Sequence, residues 1–238
     1  MSMQVLKNKD QIDQSRHAME TMGVSAIDSS AVVLMRALRL VRGVAVGDRQ
    51  KSWDVLHALE FINKEVAKGE AIADIGCFAS EVLVSLHKAG YSNLTGIDLN
   101  PKLSKMPNAD AIRYQVSDFM MTPFEDGSFK AITSISVIEH GYRPEALLKE
   151  VARLLQPGGY FIASFDYWPD KIDTTGTTFF GMDWLIFSRG DVEQLVKMAE
   201  GHGLLPTGKL EFDGNDKVIH CAGKDYTFAL LTLRKSTT

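Results

Sequence analysis

With 238 residues, 45% of them hydrophobic and 24% charged, the chain has the makeup of one globular domain large enough to bury a sizeable core, with room for a terminal extension. Its 26 basic and 30 acidic residues leave a net charge of −4 with no basic run, which excludes a surface built to neutralise the phosphates of duplex nucleic acid. The two cysteines, Cys77 and Cys221, lie far apart with no metal-ligand spacing around them; this excludes a disulfide framework and a structural zinc, and points to a reduced, cytoplasmic setting.

In chain order, residues 1–28 are polar and weakly periodic, and are expected to form a mobile or partner-contacting arm with some helix. Over 29–42 the pattern tightens. Val33, Leu34, Leu38 and Val41 alternate with Arg36, Arg39 and Arg42, which predicts an amphipathic helix capped by Ser29 or Ser30. Its arginine stripe reads first as a solvated face and second as a contact for an acidic substrate or a membrane surface. The apolar run 31–35 is too short for a signal peptide or a membrane span. After the break at 43–47, a second helix is expected over 52–66, with Trp53 near its start packing in the core or in a lid.

The run 71–75 then reads as a buried strand turning sharply into a helix over 81–89, which Gly90 stops. Further strands are expected at 94–98, 111–116, 129–136 and 160–165, with a shortened irregular segment at 100–107 and a helix opened by Pro144 and ended by Gln156-Pro157-Gly158-Gly159. Residues 166–187 are rich in aromatics and irregular, the signature of a lid or binding loop. Ser188 is expected to cap a helix over 191–200, and 210–212 and 226–234 to form the last strands. Alternating strands and helices in this order imply an α/β fold, a Rossmann-like doubly wound sheet of about seven strands, mostly parallel with one antiparallel strand near the carboxyl terminus.

Three of these strands finish in an acid: Asp74, Asp98 and Asp118. A strand covered by helices on both faces is nearly all apolar, so a carboxylate at its carboxyl end is out of place unless something there requires one, and that end is where open α/β sheets bind ligands. The 24-residue offset from Asp74 to Asp98 is close to that of a ribose-binding acid in nucleotide-binding folds.

In the segments Asp74-Ile75-Gly76-Cys77, Gly96-Ile97-Asp98-Leu99, Ser117-Asp118-Phe119, Pro123-Phe124-Glu125-Asp126-Gly127-Ser128-Phe129, Val137-Ile138-Glu139-His140 and Leu155-Gln156-Pro157-Gly158-Gly159, the chain resembles the class I S-adenosylmethionine-dependent methyltransferases. The likeness runs over about 53–234 and divides the chain into a helical arm, 1–48, and a cofactor-binding domain, 49–238, with the aromatic insert inside it. The resemblance implies S-adenosylmethionine as cofactor. Asp74, Gly76, Cys77 and Phe78 would hold its methionine part, Asp98 and Leu99 the ribose, Asp118 and Phe119 the adenine. Ser134 and Ser136 would line the path between donor and acceptor. Two departures stand out: Phe78 and Ser80 occupy positions where the family loop has glycine. Loss of these glycines disfavours a dinucleotide, whose pyrophosphate needs close backbone approach, more than it disfavours a cofactor without phosphate. It leaves open an altered cofactor pocket.

Methyl transfer to a hydroxyl needs positioning and a base. His140, directly after the fourth of these strands, is the best-placed group that titrates near neutrality, although a histidine capping the next helix is an equal reading. Asp166, at the end of the fifth, is an acceptor ligand or alternate base. Tyr167, Trp168, Phe179, Phe180 and Trp184 offer rings for stacking on an acceptor or for packing. The Ile-Glu-His segment followed by Tyr-Trp-Pro and an aromatic insert resembles methyltransferases of polysaccharide and sugar modification. The leading expectation is therefore O-methylation of a glycan or other small-molecule hydroxyl, with no metal, no nucleic acid and no membrane span, and with the arm available for a homo-oligomer or a partner. The alternatives are a non-catalytic binding or regulatory module of the same fold and, behind it, an NAD-dependent oxidoreductase.

Overall fold

The computed structural model describes residues 2–237. The chain forms β1 (Met3–Val5), α1 (Lys9–Thr21), α2 (Ser30–Ala37), α3 (Ser52–Glu65), β2 (Ile72–Ile75), α4 (Val82–Lys88), β3 (Leu94–Asp98), β4 (Ile112–Val116), β5 (Phe129–Ile135), α5 (Pro144–Leu154), β6 (Leu155–Tyr167), β7 (Thr178–Phe179), β8 (Met182–Asp183), α6 (Arg189–Gly201), β9 (Leu204–Pro206), β10 (Ile219–Cys221) and β11 (Lys224–Lys235). The main sheet runs β1-β11-β6-β5-β2-β3-β4, with β9 and β10 also paired to β11. The pairs from β4 to β6 are parallel, and every pairing of β11 is antiparallel. The central parallel strands β2, β3 and β5 are mostly buried because helices cover both faces, whereas β4 at the edge is half exposed. One apolar layer, including Leu56, Leu59, Ile62 and Leu83, lies under α1, α3 and α4. The other, including Leu147, Val151, Leu195 and Ala199, lies under α5 and α6.

The chain proceeds from β2 outward to β3 and β4, then returns to place β5 on the other side of β2. This reversal is the topological switch point, where two neighbouring strands lead into loops that diverge and leave a crevice. Asp74 and Thr133 are register partners across it, and the Thr133 hydroxyl donates to Asp74 Oδ1 at 2.7 Å.

Several expectations are corrected. The first residues are not a mobile arm: β1 pairs with β11, Met3 is fully buried, and the Ser2 hydroxyl donates to the Thr232 carbonyl. Helix α1 is fixed by Arg16, whose guanidinium forks onto Glu81 beside the turn after β2, both side chains being buried. The helix expected over 29–42 stops at Ala37, and residues 210–212 contribute only a bridge from Leu210 to Met3. Gln156-Pro157-Gly158-Gly159 does end helix α5, but the segment is itself the start of β6, which bulges where its register with β5 shifts. The aromatic insert is half core and half rim. Trp184, Ile186 and Phe187 are buried, whereas the tip of the β7–β8 hairpin, at Phe180, is 85% exposed. The capping box of α6 follows the expected pattern, Ser188 and Asp191 satisfying each other's backbone amides.

Candidate active site

A cleft of about 1500 Å³ opens at the carboxyl ends of β2 to β5. One small-molecule site typically occupies about 300–1000 Å³, so this cleft has the size for two ligands side by side. Its two walls are built differently.

The first wall is local to the turns after β2, β3 and β4. Gly76 has φ +71°, and a Cβ there would sit 2.4 Å from Val137. No other residue type fits this turn without displacing the loop after β5. The Gly76 amide donates to the Ile97 carbonyl, folding the turn back over β3. Asp98 then accepts from the Phe78 amide through Oδ2 at 2.9 Å and from the Asn100 amide through Oδ1 at 2.8 Å. Each oxygen retains lone-pair capacity toward the cleft, the requirement for receiving a pair of vicinal hydroxyls. Leu99 is 57% exposed beside it. Asp118 accepts from the Met120 amide and faces Arg143 at 3.6 Å, and Phe119 lines the cleft next to it.

Asp74 lies beneath this wall rather than on it. It is 1% exposed, its Oδ2 has no partner, and burial pushes its carboxyl up to about 7. Cys77 is also buried; its sulfur packs where a side chain on Gly96 would go, and burial raises its thiol far above the ordinary range. Ser134 is fully buried with its hydroxyl unpartnered. Of the residues assigned to the cofactor from sequence, Gly76, Phe78, Asp98, Leu99, Asp118, Phe119 and Ser136 line the cleft, and Asp74, Cys77 and Ser134 support it from below. Phe78 and Ser80 are not the strained positions of the loop. The left-handed residue after Gly76 is Ala79, with φ +62°.

The second wall is assembled from distant parts of the chain. Ser136, at φ +52° just past β5, accepts from Lys51 Nζ at 2.5 Å. The same ammonium lies 3.5 Å from the Phe228 ring centroid and 3.8 Å from Asp166 Oδ1. Asp166 Oδ2 accepts from the Trp184 indole at 2.8 Å, which pins the aromatic insert against the cleft. Behind Lys51 lie Asp54 and Glu139, both buried. Asp54 accepts from Ser164 through Oδ2, its Oδ1 has no partner, and burial pushes it up to about 7. Neither Glu139 oxygen has a partner; burial first, and then the neighbouring Asp166, raises it well above the carboxylate range. Among the described residues no group of three or more His, Cys, Asp or Glu is arranged to hold a metal ion.

His140 lines this wall edge-on to Phe179 and Phe180, with ring centroids 5.8 and 5.4 Å away. Its Nδ1 is buried without a partner, and burial lowers its basicity below that of an ordinary histidine, with Asp166 opposing the shift. His140 is thus a neutral imidazole at pH 7, able to accept a proton. Asp166 does not line the cleft; it holds two residues that do, Lys51 and Trp184.

Sequence reasoning missed Lys51, Asp54 and Tyr226, a buried residue that lies beside Asp166. Asp54 carried a usable signal: an acid at the start of an apolar helical run, next to Trp53 and Val55. Lys51 carried none, because a lysine at a helix start reads as solvated. Trp53 is core, 2% exposed and stacked on His57.

Residues 73–163 match the family model described as a methyltransferase domain. Over 122 residues the chain is 31% identical to a ubiquinone biosynthesis O-methyltransferase from Xanthomonas oryzae pv. oryzae, a match that covers 46% of this chain and 51% of the relative. The chain thus spans about half the length of the curated relatives it matches. Among solved structures it resembles the cyclase SpnF, with TM-score 0.58 and 15% identity, covering 100% of this chain and 99% of that one. It also resembles a geranyl diphosphate C-methyltransferase from Streptomyces coelicolor A3(2), with TM-score 0.57 and 14% identity, covering 97% and 99%. At these identities the structural likeness establishes the fold that the chain shares with these proteins, and the fold by itself leaves the reaction open.

Proposed function

We propose that the chain is a class I S-adenosylmethionine-dependent methyltransferase that methylates a hydroxyl of a small molecule. The observation that carries this reading is the continuity of one cleft from a hydroxyl-accepting carboxylate, Asp98, to a neutral imidazole, His140, with aromatic rings beside it. The donor set fits the cofactor. Asp98 presents two oxygens already oriented by backbone amides, Gly76 leaves room for close approach, and the unpartnered Oδ2 of Asp74 lies beneath the loop that would hold a cationic amino acid moiety.

Bound S-adenosylmethionine supplies an electrophilic methyl group. The chain's own residues have four tasks. Asp98, Leu99, Asp118 and Phe119 fix the nucleoside end, with Ser136 where the two halves of the cleft meet. Trp184, buried, backs the acceptor side, and Phe180 stands exposed at its mouth. His140 takes up the proton of the acceptor hydroxyl, its lowered basicity keeping it unprotonated at neutral pH. Lys51, held between Ser136 and Asp166, orients the acceptor oxygen. The 31%-identical relatives are named as O-methyltransferases, in keeping with a hydroxyl acceptor. The wall of rings suits an aromatic alcohol at least as well as a sugar, so both belong in the acceptor panel.

The test is calorimetric titration with S-adenosylmethionine, followed by transfer of a labelled methyl group to a panel of phenols, catechols and sugars. Saturable cofactor binding with label recovered on oxygen is the expected result. No affinity for the cofactor overturns the assignment, cofactor affinity with no transfer to any acceptor favours the non-catalytic module, and label recovered on nitrogen or carbon overturns the hydroxyl reading.

A further inference from the structure

Helix α2 is built inside out. Its inward side carries Arg36, which donates to Asp28 at 2.8 Å and to the Gly43 carbonyl at 2.8 Å. Its outward side carries Val33 and Leu34, continued by Leu38 at its C-cap, which are 55%, 61% and 62% exposed, and no residue of the helix is buried. Leu40, just beyond it, is 72% exposed. An apolar helical face turned to solvent in an otherwise well-packed protein marks a surface that something else covers.

The charge around this face identifies the cover. No acid occurs between Asp28 and Asp48, although the chain as a whole has a net charge of −4. Arg39 and Arg42 are exposed, and neither side chain has a partner among the described residues. The segment is tied by the Val44 amide to the carbonyl of Lys105, and Lys102 and Lys105 are exposed on that neighbouring turn. Apolar side chains flanked by unpaired cations, on a short helix lying on the surface, match the interface of an anionic bilayer, where the leucines enter the acyl boundary and the cations meet the headgroups. A second copy of the chain fits worse, because a two-fold contact through this face would bring like-charged arginines together.

We infer that the surface formed by α2 and the residues up to Val44 docks the protein on anionic lipid membranes. The same segment leads into Gly47 and Asp48, which line the cleft, so a docked molecule would hold the cleft mouth near the lipid. The inference does not depend on the identity of the acceptor or on turnover.

The experiment is cosedimentation of the full chain with vesicles of phosphatidylcholine alone and of phosphatidylcholine mixed with phosphatidylglycerol. Binding to the mixed vesicles only, weakening as salt rises, is expected. The double variant Leu34→Asp, Leu38→Asp should lose it, and Arg39→Gln with Arg42→Gln should weaken it by roughly fivefold per arginine removed. Both variants should keep the wild-type thermal midpoint, since the altered side chains are exposed. Failure of the wild type to bind mixed vesicles at low salt overturns the inference, as does binding that both variants retain. A concentration-dependent dimer abolished by the leucine substitutions, without vesicle binding, would assign the face to a second copy instead.

Discussion

The two walls of the cleft differ in how their charges are held. On the first wall, Asp98 and Asp118 accept backbone amides from residues near them in the same turns, and both Asp98 oxygens are oriented in this way. On the second wall, Lys51, Asp54, Glu139, Asp166 and Phe228 come from four separate parts of the chain, and Asp54, Glu139 and Asp166 all retain buried oxygens without hydrogen-bond partners. A carboxylate held by backbone amides is preorganised. The buried acids Asp54 and Glu139 beside Lys51 are costly to ionise, and their charge state responds to pH and to whatever occupies the cleft. The contrast predicts that changes on the first wall alter affinity, whereas changes on the second alter rate and pH dependence.

The largest expected effect is at His140. His140→Ala should lower turnover by about 10²–10⁴-fold while S-adenosylmethionine affinity, measured by calorimetry, stays nearly unchanged. Because burial lowers the basicity of His140, the acid limb of the wild-type rate profile should fall below pH ~6.5, the ordinary histidine value, and the limb should vanish in the variant. A large loss of cofactor affinity would make His140 a structural cap, and an unchanged rate would leave the proton to another group.

The second effect concerns stability. Asp54 is pushed up to about 7 by burial, so between pH ~4 and 7 the folded protein holds a proton that the unfolded chain has released. Stability therefore falls as pH rises through that window, by an amount on the order of a few kcal/mol, and the full cost is present above about pH 7. Asp54→Asn keeps an acceptor for Ser164 and removes the titration. Denaturant unfolding at pH 5 and pH 8 should show the variant less pH-dependent than the wild type and relatively more stable at pH 8. A variant with the wild-type slope would place the pH dependence elsewhere, with Asp74 the next candidate because it too is pushed up to about 7.

On the first wall, Asp98→Ala should weaken S-adenosylmethionine binding by about 1.5–3 kcal/mol, the range for losing hydrogen bonds to a charged acceptor. Part of that loss would come from the Phe78 and Asn100 amides, which lose their partner. Asp98→Asn separates the two contributions, since it keeps one acceptor oxygen. Unchanged affinity in both variants would remove Asp98 from the site.

How much was legible in the sequence follows the same division. The parallel strands and the acids at their ends could be read because each depends on a few consecutive residues: an apolar run, then Asp74-Ile75-Gly76 or Gly96-Ile97-Asp98. The strand β1 could not be read from its own three residues, because its existence depends on pairing with β11 more than two hundred positions away. The same holds for Lys51, whose neighbours Ser136, Asp166 and Phe228 are distant in sequence. The exposed face of α2 was visible as an amphipathic pattern with an arginine stripe. Sequence periodicity says which side chains share a face and cannot say which face meets the protein, and here the apolar one points outward.

The smallest expected effect is the sharpest test of the glycine-poor loop. From sequence, Phe78 and Ser80 were the anomalies, since they stand where glycines would be. In the structure neither has a positive φ, and the loop's left-handed position after Gly76 falls on Ala79, at φ +62°, with its carbonyl accepting from the Gly47 amide. A Cβ in that conformation costs about 1–2 kcal/mol, and removing it returns most of this cost less the extra entropy of an unfolded glycine. Ala79→Gly should therefore raise stability by up to about 1 kcal/mol. Phe78→Gly should lower it, because that position gains only unfolded-state freedom and loses a ring packed against the core. Neither variant should create affinity for NAD, since the rest of the dinucleotide fingerprint is absent. Thermal unfolding of the two proteins side by side reads the sign directly. If Phe78→Gly were the stabilising change, the loop would be strained at the position the sequence pattern marks, and the shift of the left-handed residue to Ala79 would be wrong.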